Sequence, residues 1–328
     1  MKKGMVDEAV ILIRHLTATD PTFSASCHSY AHKMGWEIYD LYKTTGKIDI
    51  GGDISFCNWG LVHGFLEQSV ARGAETKKAV QDFCKKVVVT GNVSIRGMIA
   101  NCFHGVGHGV VNNHDPRVLG KPEEFVKPAL ITCGAVSEND IQRKMCAYGV
   151  FMGVFDFMAT GQYQLSVDKN DPLGICEQQD EIDKSACYFQ SYPVISVIAG
   201  HSFLKLKTIV STIGNPVYAH QALQSTVSTK IFSNLNTNEI IEGCQSLGLD
   251  YSVWCMRGIA LTYMGDDKYG QEYMNAFSFC NNLLMTISEK LGCEDVILTE
   301  AKSKYPQPKF ASICALYDKD GRFQVCQR

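Results

Sequence analysis

Apolar residues along this chain fall in mixed runs that lack the strict alternation of a half-buried strand. Turn-forming segments rich in glycine, aspartate and asparagine separate the runs, and no β-rich block stands out. This pattern predicts an all-α protein. The clearest predicted helical segments cover residues 6–16, 30–42, 61–70, 149–158 and 194–206.

A short motif recurs inside these runs: a cysteine followed by glycine at the third and seventh positions. Its copies begin at Cys57, Cys102 and Cys146. On a helix the two glycines lie one turn apart on one face. Glycine costs a helix about 1 kcal/mol relative to alanine, so close packing between neighbouring helices, or room for a ligand, must compensate.

The fourteen cysteines fall in successive pairs, and five of the pairs are separated by 11 to 13 residues. Such spacing fits disulfides that join the end of one helix to the start of the next. Metal-thiolate sites and unpaired core cysteines remain as alternatives, although no CxxC occurs. The predicted disulfides are Cys84–Cys102, Cys133–Cys146, Cys176–Cys187, Cys244–Cys255, Cys280–Cys293, Cys314–Cys326 and, with the weakest support, Cys27–Cys57.

The second cysteines of these pairs recur at a period near 40 residues, which is the size of a two-helix repeat. We therefore predict repeated helical hairpins, stacked as an α/α solenoid or toroid and stapled by intra-repeat disulfides. A single repeat domain would cover residues 1–328. One long step in the period indicates a degenerate or inserted hairpin at about 200–243.

Charge and cysteine content limit the possible partners and compartments. The net charge of −3 and pI near 6.3 give no basic footprint for nucleic acid, so we expect a small-molecule or peptide partner instead. Paired cysteines favour a secreted, periplasmic or luminal protein. We identify no signal peptide or membrane span, so export would require a targeting segment that these residues lack.

Histidines supply the strongest indication of chemistry, because five of the nine lie in three short motifs in the first third of the chain. Two of the motifs are HxxxH, which places both imidazoles on one face of a helix at a spacing that can chelate one ion. Imidazole-rich sites suit copper, iron or zinc. The predicted metal ligands are His28, His32, His63, His104 and His108.

Oxygen-bearing side chains follow one turn later in each motif copy, at Glu67, Asn112 and Asp156. Such groups orient metal-binding imidazoles in many proteins. We predict Glu67 and His104 as catalytic residues, with Glu67 acting as a ligand, an orienter or a general base. The possible second shell comprises Asn112, Met152 and Asp156, and Met152 occupies the motif position that carries histidine in the other copies.

Two functions remain open. The first is an extracytoplasmic metal-dependent enzyme with its site in the N-terminal repeats, for which copper or iron redox chemistry is slightly favoured over zinc hydrolysis. The alternative is a disulfide-stabilised helical-repeat binding module, whose histidines are structural or carry metal without catalysis.

Overall fold

The computed structural model describes residues 5–20, 23, 27–45, 56–71, 77–90, 95–112, 118–265 and 271–327. These residues form seventeen α-helices and short 3-10 turns, with no strand among them. The prediction of an all-α protein is therefore confirmed.

The helices of the first half are α1 (Met5–Thr19), α2 (Cys27–Thr45), α3 (Phe56–Ala71), α4 (Lys77–Thr90), α5 (Ile95–Asn112), α6 (Pro122–Val136) and α7 (Asp140–Thr160). The second half contains α8 (Gly174–Glu177), α9 (Glu181–Gln190), α10 (Tyr192–Ala199), α11 (Phe203–Val210), α12 (Pro216–Val227), α13 (Thr237–Ser246), α14 (Leu249–Gly265), α15 (Glu272–Cys280), α16 (Ile287–Lys304) and α17 (Gln307–Tyr317).

The chain divides into two compact units. Unit 1 comprises Met1–Phe157 with Tyr163–Leu165, and unit 2 comprises Met158–Gln162 with Ser166–Arg328. Whether the repeats form one domain therefore stays a prediction. The helix order inside each unit is compatible with stacked hairpins.

In unit 1, helices α2 and α3 pack side by side and run in the same direction. Gly60 of α3 faces the backbone of His28 on α2, and a methyl group added to it would lie 2.8 Å from the His28 carbonyl oxygen. One turn later Gly64 packs in the same way on the carbonyl oxygen of His32. Both contacts leave no room for a side chain, which is the compensation that the glycines require.

The same packing repeats along the unit, so that α2, α3, α5 and α7 form a row. Gly105 of α5 lies against His63 of α3, where an added methyl group would be 3.0 Å from the His63 Cα atom. Gly149 of α7 in turn packs on the carbonyl oxygen of His104 in α5. The motif glycines are thus contact points between adjacent helices, as the packing interpretation predicts.

Unit 2 contains a comparable row of packed helices, α9, α12, α14 and α16. Gly258 of α14 lies against Val227 of α12, and Gly292 of α16 lies against Val253 of α14. The segment predicted as a degenerate hairpin contains α11 and α12 and has no cysteine.

Seven disulfides join pairs of helices or turns among the described residues. All fourteen cysteines lie in the described residues and none is free. Six bridges join consecutive elements in the predicted pairs, with Cα atoms 5.4 to 5.7 Å apart. The seventh, Cys27–Cys57, joins the starts of α2 and α3. Seven disulfides are typical of proteins from an oxidising compartment.

One predicted helix was wrong in its extent. The apolar run 194–206 is split, because Gly200 takes a left-handed φ of 55° after α10 ends at Ala199. Ser202 then caps α11 by accepting a hydrogen bond from the Lys205 amide. A glycine that ends a helix and a serine that starts the next are ordinary termination signals.

None of the described helices combines the length and the apolar character that crossing a bilayer requires.

The glycine contacts predict opposite effects for two alanine substitutions. Gly149→Ala places a methyl group on the His104 carbonyl oxygen, so we expect it to lower the free energy of unfolding by about 1–3 kcal/mol. Gly134→Ala in α6 meets no atom within 4 Å and should be neutral or stabilising by up to about 1 kcal/mol. Urea unfolding followed by circular dichroism measures both. Equal effects of the two changes would contradict the packing role.

The bridges predict a second stability effect. Replacing Cys133 and Cys146 by alanine opens a loop with a sequence separation of 13, which should lower the free energy of unfolding by about 3 kcal/mol.

A thiol assay of the denatured, unreduced wild-type protein should find no free thiol, and reduction should release fourteen. Several free thiols before reduction would show that the pairing is incomplete.

Candidate metal centre

Three neighbouring helices of unit 1 supply the histidine cluster. His28 and His32 lie one turn apart on α2, and His104 and His108 lie one turn apart on α5. His63 lies on α3, which packs between those two helices. The close approach of the helices at the motif glycines therefore brings all five imidazoles together.

The five rings form two overlapping triads. His28, His32 and His63 make one, and in each triad the possible ligand atoms lie within 4.8 Å of one another. The second triad consists of His63, His104 and His108. His63 is common to both, and each triad could hold a metal ion.

Hydrogen-bond partners fix the tautomers of the α2 pair. The Nδ1 atom of His28 lies 2.8 Å from the carbonyl oxygen of Cys57, which can only accept, so Nδ1 carries the proton. His32 Nδ1 likewise donates to Glu67 Oε2 at 3.0 Å. In the neutral rings both lone pairs are then on Nε2, and these two atoms are 3.0 Å apart. Because facing lone pairs repel, this arrangement is unfavourable in the neutral rings, and a metal ion bound by both nitrogens would relieve the repulsion.

The α5 pair has a similar separation, with 3.1 Å between the Nε2 atoms of His104 and His108. Two nitrogens bound to one ion at about 2.0–2.1 Å lie roughly 3 Å apart when the angle between the bonds is close to a right angle. The spacing of both pairs therefore fits chelation of one ion by each pair.

Glu67 accepts hydrogen bonds on both of its carboxylate oxygens. Its Oε2 atom accepts hydrogen bonds from His32 Nδ1 and from Trp36 Nε1, both at 3.0 Å. Its Oε1 atom accepts from Asn112 Nδ2. With three donors on one carboxylate, the orienting role is the one that this geometry supports among the three predicted for Glu67.

His63 is the most deeply buried member of the cluster, with 3% of its surface exposed. Neither ring nitrogen has a hydrogen-bond partner among the described residues. A buried polar atom without a partner costs about 1–3 kcal/mol. His63 is therefore a destabilising residue in the absence of a ligand.

Burial favours the neutral form of four of the five imidazoles, those of His28, His63, His104 and His108. Desolvation, aided by neighbouring histidines, lowers the pKa of His28 to about 4 and that of His104 to about 3. The same two causes hold the pKa of His63 and of His108 well below the usual value. Neutral imidazoles keep a lone pair free, which is the form that binds metal ions.

A cavity of about 240 Å³ opens beside the cluster. His28, His32 and His108 line this cavity, and His63 and His104 do not. The other lining residues are Ser29, Lys33, Trp36, Glu67, Asn112, Met152, Gly153, Asp156 and Phe157. A small molecule in this space would lie next to three of the five imidazoles.

The residues predicted for the second shell take different positions. Asn112 bonds to Glu67 rather than to an imidazole. Met152 and Asp156 of α7 line the cavity, and desolvation raises the pKa of Asp156 to about 6 although His32 opposes the shift. A carboxyl with this pKa can take up or release a proton near neutral pH.

Sequence reasoning missed Trp36, which donates to Glu67 and lines the cavity. The sequence does indicate that Trp36 is near the site, because Trp36 follows His32 by one helical turn and therefore shares its face. The histidines left out of the prediction are elsewhere: His15 is exposed on α1, His201 and His220 belong to unit 2, and His114 lies outside the described residues.

No protein-family model, no curated protein and no solved structure matches this chain.

The lowered pKa values predict that the metal-free protein is sensitive to acid. In the unfolded chain His28 and His104 bind protons below about pH 6.5, the usual pKa of histidine. In the folded protein their pKa values are lowered to about 4 and about 3, so they bind protons only at lower pH. Stability should therefore fall with pH in that window, by about 1.4 kcal/mol per pH unit for each histidine. Urea unfolding of chelator-treated protein at pH 7 and pH 5 measures the change.

The matched variant for this prediction is His104→Gln, which removes one of the titrating groups. It should show a smaller loss of stability between pH 7 and pH 5 than the wild-type protein. An identical loss would mean that His104 does not titrate in this way.

Proposed function

We propose that this protein is an extracytoplasmic metalloenzyme that binds copper or iron through His28, His32, His63, His104 and His108 and carries out redox chemistry on a small molecule in the adjacent cavity. The observation that carries the proposal is the pair of overlapping histidine triads that opens onto that cavity.

The donor set favours a transition metal. Five imidazoles and no carboxylate make up the two triads. Magnesium and calcium prefer oxygen ligands, whereas imidazole suits copper, iron and zinc. Three nitrogen ligands in a triad leave further positions on an ion open, which is typical of catalytic rather than structural sites.

Redox chemistry is preferred to zinc hydrolysis because the site offers five imidazoles, more than one tetrahedral zinc ion needs. Asp156 is the cavity carboxyl that could act as a base in either reaction. Glu67 accepts three hydrogen bonds from described residues. Its role in the proposal is to hold the His32 tautomer and ring orientation.

The remaining cavity residues supply binding and proton transfer. Asp156, with its raised pKa, would hold a proton exchanged with the substrate. Trp36 and Phe157 offer aromatic surface to a small organic molecule, and Lys33 offers a positive charge. These groups give the substrate its position beside His28, His32 and His108.

The test is the metal content of protein purified without a histidine tag. We expect copper or iron at one or more ions per chain, and a bound metal that changes oxidation state reversibly with a mild reductant. His104→Ala should lose at least one bound ion per chain, because it removes a triad member. His15→Ala, at an exposed histidine on α1, should retain the wild-type content.

Two results would count against the proposal. If no transition metal binds stoichiometrically and His104→Ala changes nothing, the metalloenzyme function is wrong. If zinc alone is bound and the site does not support a redox-active metal, metal binding stands and the redox function is wrong.

A further inference from the structure

We propose that His63 bridges two metal ions as an imidazolate, with one ion held by His28 and His32 and the other by His104 and His108. This inference rests on the proposed function, since it requires that the cluster binds metal. Beyond metal binding, it specifies two ions, the separate ligands of each ion and an electronic coupling between them.

The environment of the His63 ring leaves both of its nitrogens available to a ligand. A neutral imidazole has one N–H donor and one acceptor nitrogen, and in His63 both nitrogens are buried without a partner in the described structure. A single bound ion would engage one nitrogen and leave the other unsatisfied in the protein interior. An ion on each side of the ring satisfies both.

The His63 ring also lies close to both chelating pairs. The centroid of His63 is 5.4 Å from that of His28 and 5.6 Å from that of His32. It is 4.9 Å from His104 and 5.7 Å from His108. His63 is thus near both pairs, and it is the member that the two triads share.

Each histidine pair also has the spacing needed to chelate an ion by itself. Both Nε2 separations, 3.0 Å on α2 and 3.1 Å on α5, fit two ligands of one ion. The pairs lie on different helices, on either side of α3. Two ions, each with two ligands from one helix and the shared ring of His63, account for all five histidines.

The bridge forms without a change of oxidation state. The first ion binds the lone pair of one His63 nitrogen, and the second ion replaces the proton on the other nitrogen, which leaves to solvent. The ring then carries one negative charge between two divalent cations. The carboxylate of Glu67, bonded to the outer nitrogen of His32, offsets part of the remaining positive charge.

The experiment uses the full chain, freed of metal with a chelator and then loaded with Cu(II) alone. We expect two Cu(II) ions per chain. Because imidazolate couples the spins of two Cu(II) ions antiferromagnetically, the integrated electron paramagnetic resonance signal should fall well below two spins per chain.

Matched variants separate the two ions. His28→Ala combined with His32→Ala should bind one Cu(II) with the full signal of one spin, and so should His104→Ala combined with His108→Ala. His63→Gln cannot bridge and should show uncoupled spins equal to its bound Cu(II). His15→Gln, at the exposed position on α1, should match the wild type.

Measurements on the wild-type protein decide the proposal even if a variant fails to fold. One Cu(II) per chain, or two with a full signal of two spins, would overturn the bridge while leaving metal binding intact. No bound Cu(II) would overturn the bridge, and metal analysis of the protein as purified would then show whether the proposed function also fails.

Discussion

The site depends on one packing constraint, the contact of neighbouring helix backbones at the motif glycines. Gly64 touches the carbonyl oxygen of His32, and Gly149 touches that of His104. Contacts this close fix both the separation and the axial register of adjacent helices, because any side chain at these positions would force them apart. The histidines lie at the neighbouring positions, so the same contacts determine how far apart the imidazoles are.

The disulfides and the histidine cluster have different effects on the stability of the protein. Each bridge reduces the number of conformations open to the unfolded chain and ties two elements of the fold together, which stabilises the scaffold. The histidine cluster has the opposite effect when no metal is bound, because it contains facing lone pairs on α2 and the buried His63 ring, whose nitrogens have no partner among the described residues. Strain of this kind is expected at a functional site and is offset by the rest of the fold.

Much of the scaffold could be predicted from local patterns. Pairing of successive cysteines predicted six of the bridges that the structure contains, since a disulfide between consecutive elements needs only a short connection. Cys27–Cys57 was predicted only as the pair that remained. The apolar runs gave the all-α class. The break at Gly200 was missed because an apolar run on both sides hides a helix end that depends on one residue's φ angle. The role of Trp36 was missed because its hydrogen-bond partner, Glu67, is 31 residues away on another helix, and helical periodicity says nothing about contacts between helices.

The sequence by itself determined which residues share a helix face: the two HxxxH pairs, and the glycines one turn apart, follow from the period of the α-helix. Tertiary structure alone decided what those faces meet. It placed the centroid of the His63 ring within 5.7 Å of those of all four paired imidazoles. It also brought Glu67 within hydrogen-bond distance of His32, Trp36 and Asn112, and it left a cavity beside the cluster. The physical reason is that helical periodicity is a local property, whereas the distance between rings on different helices depends on how closely their backbones pack.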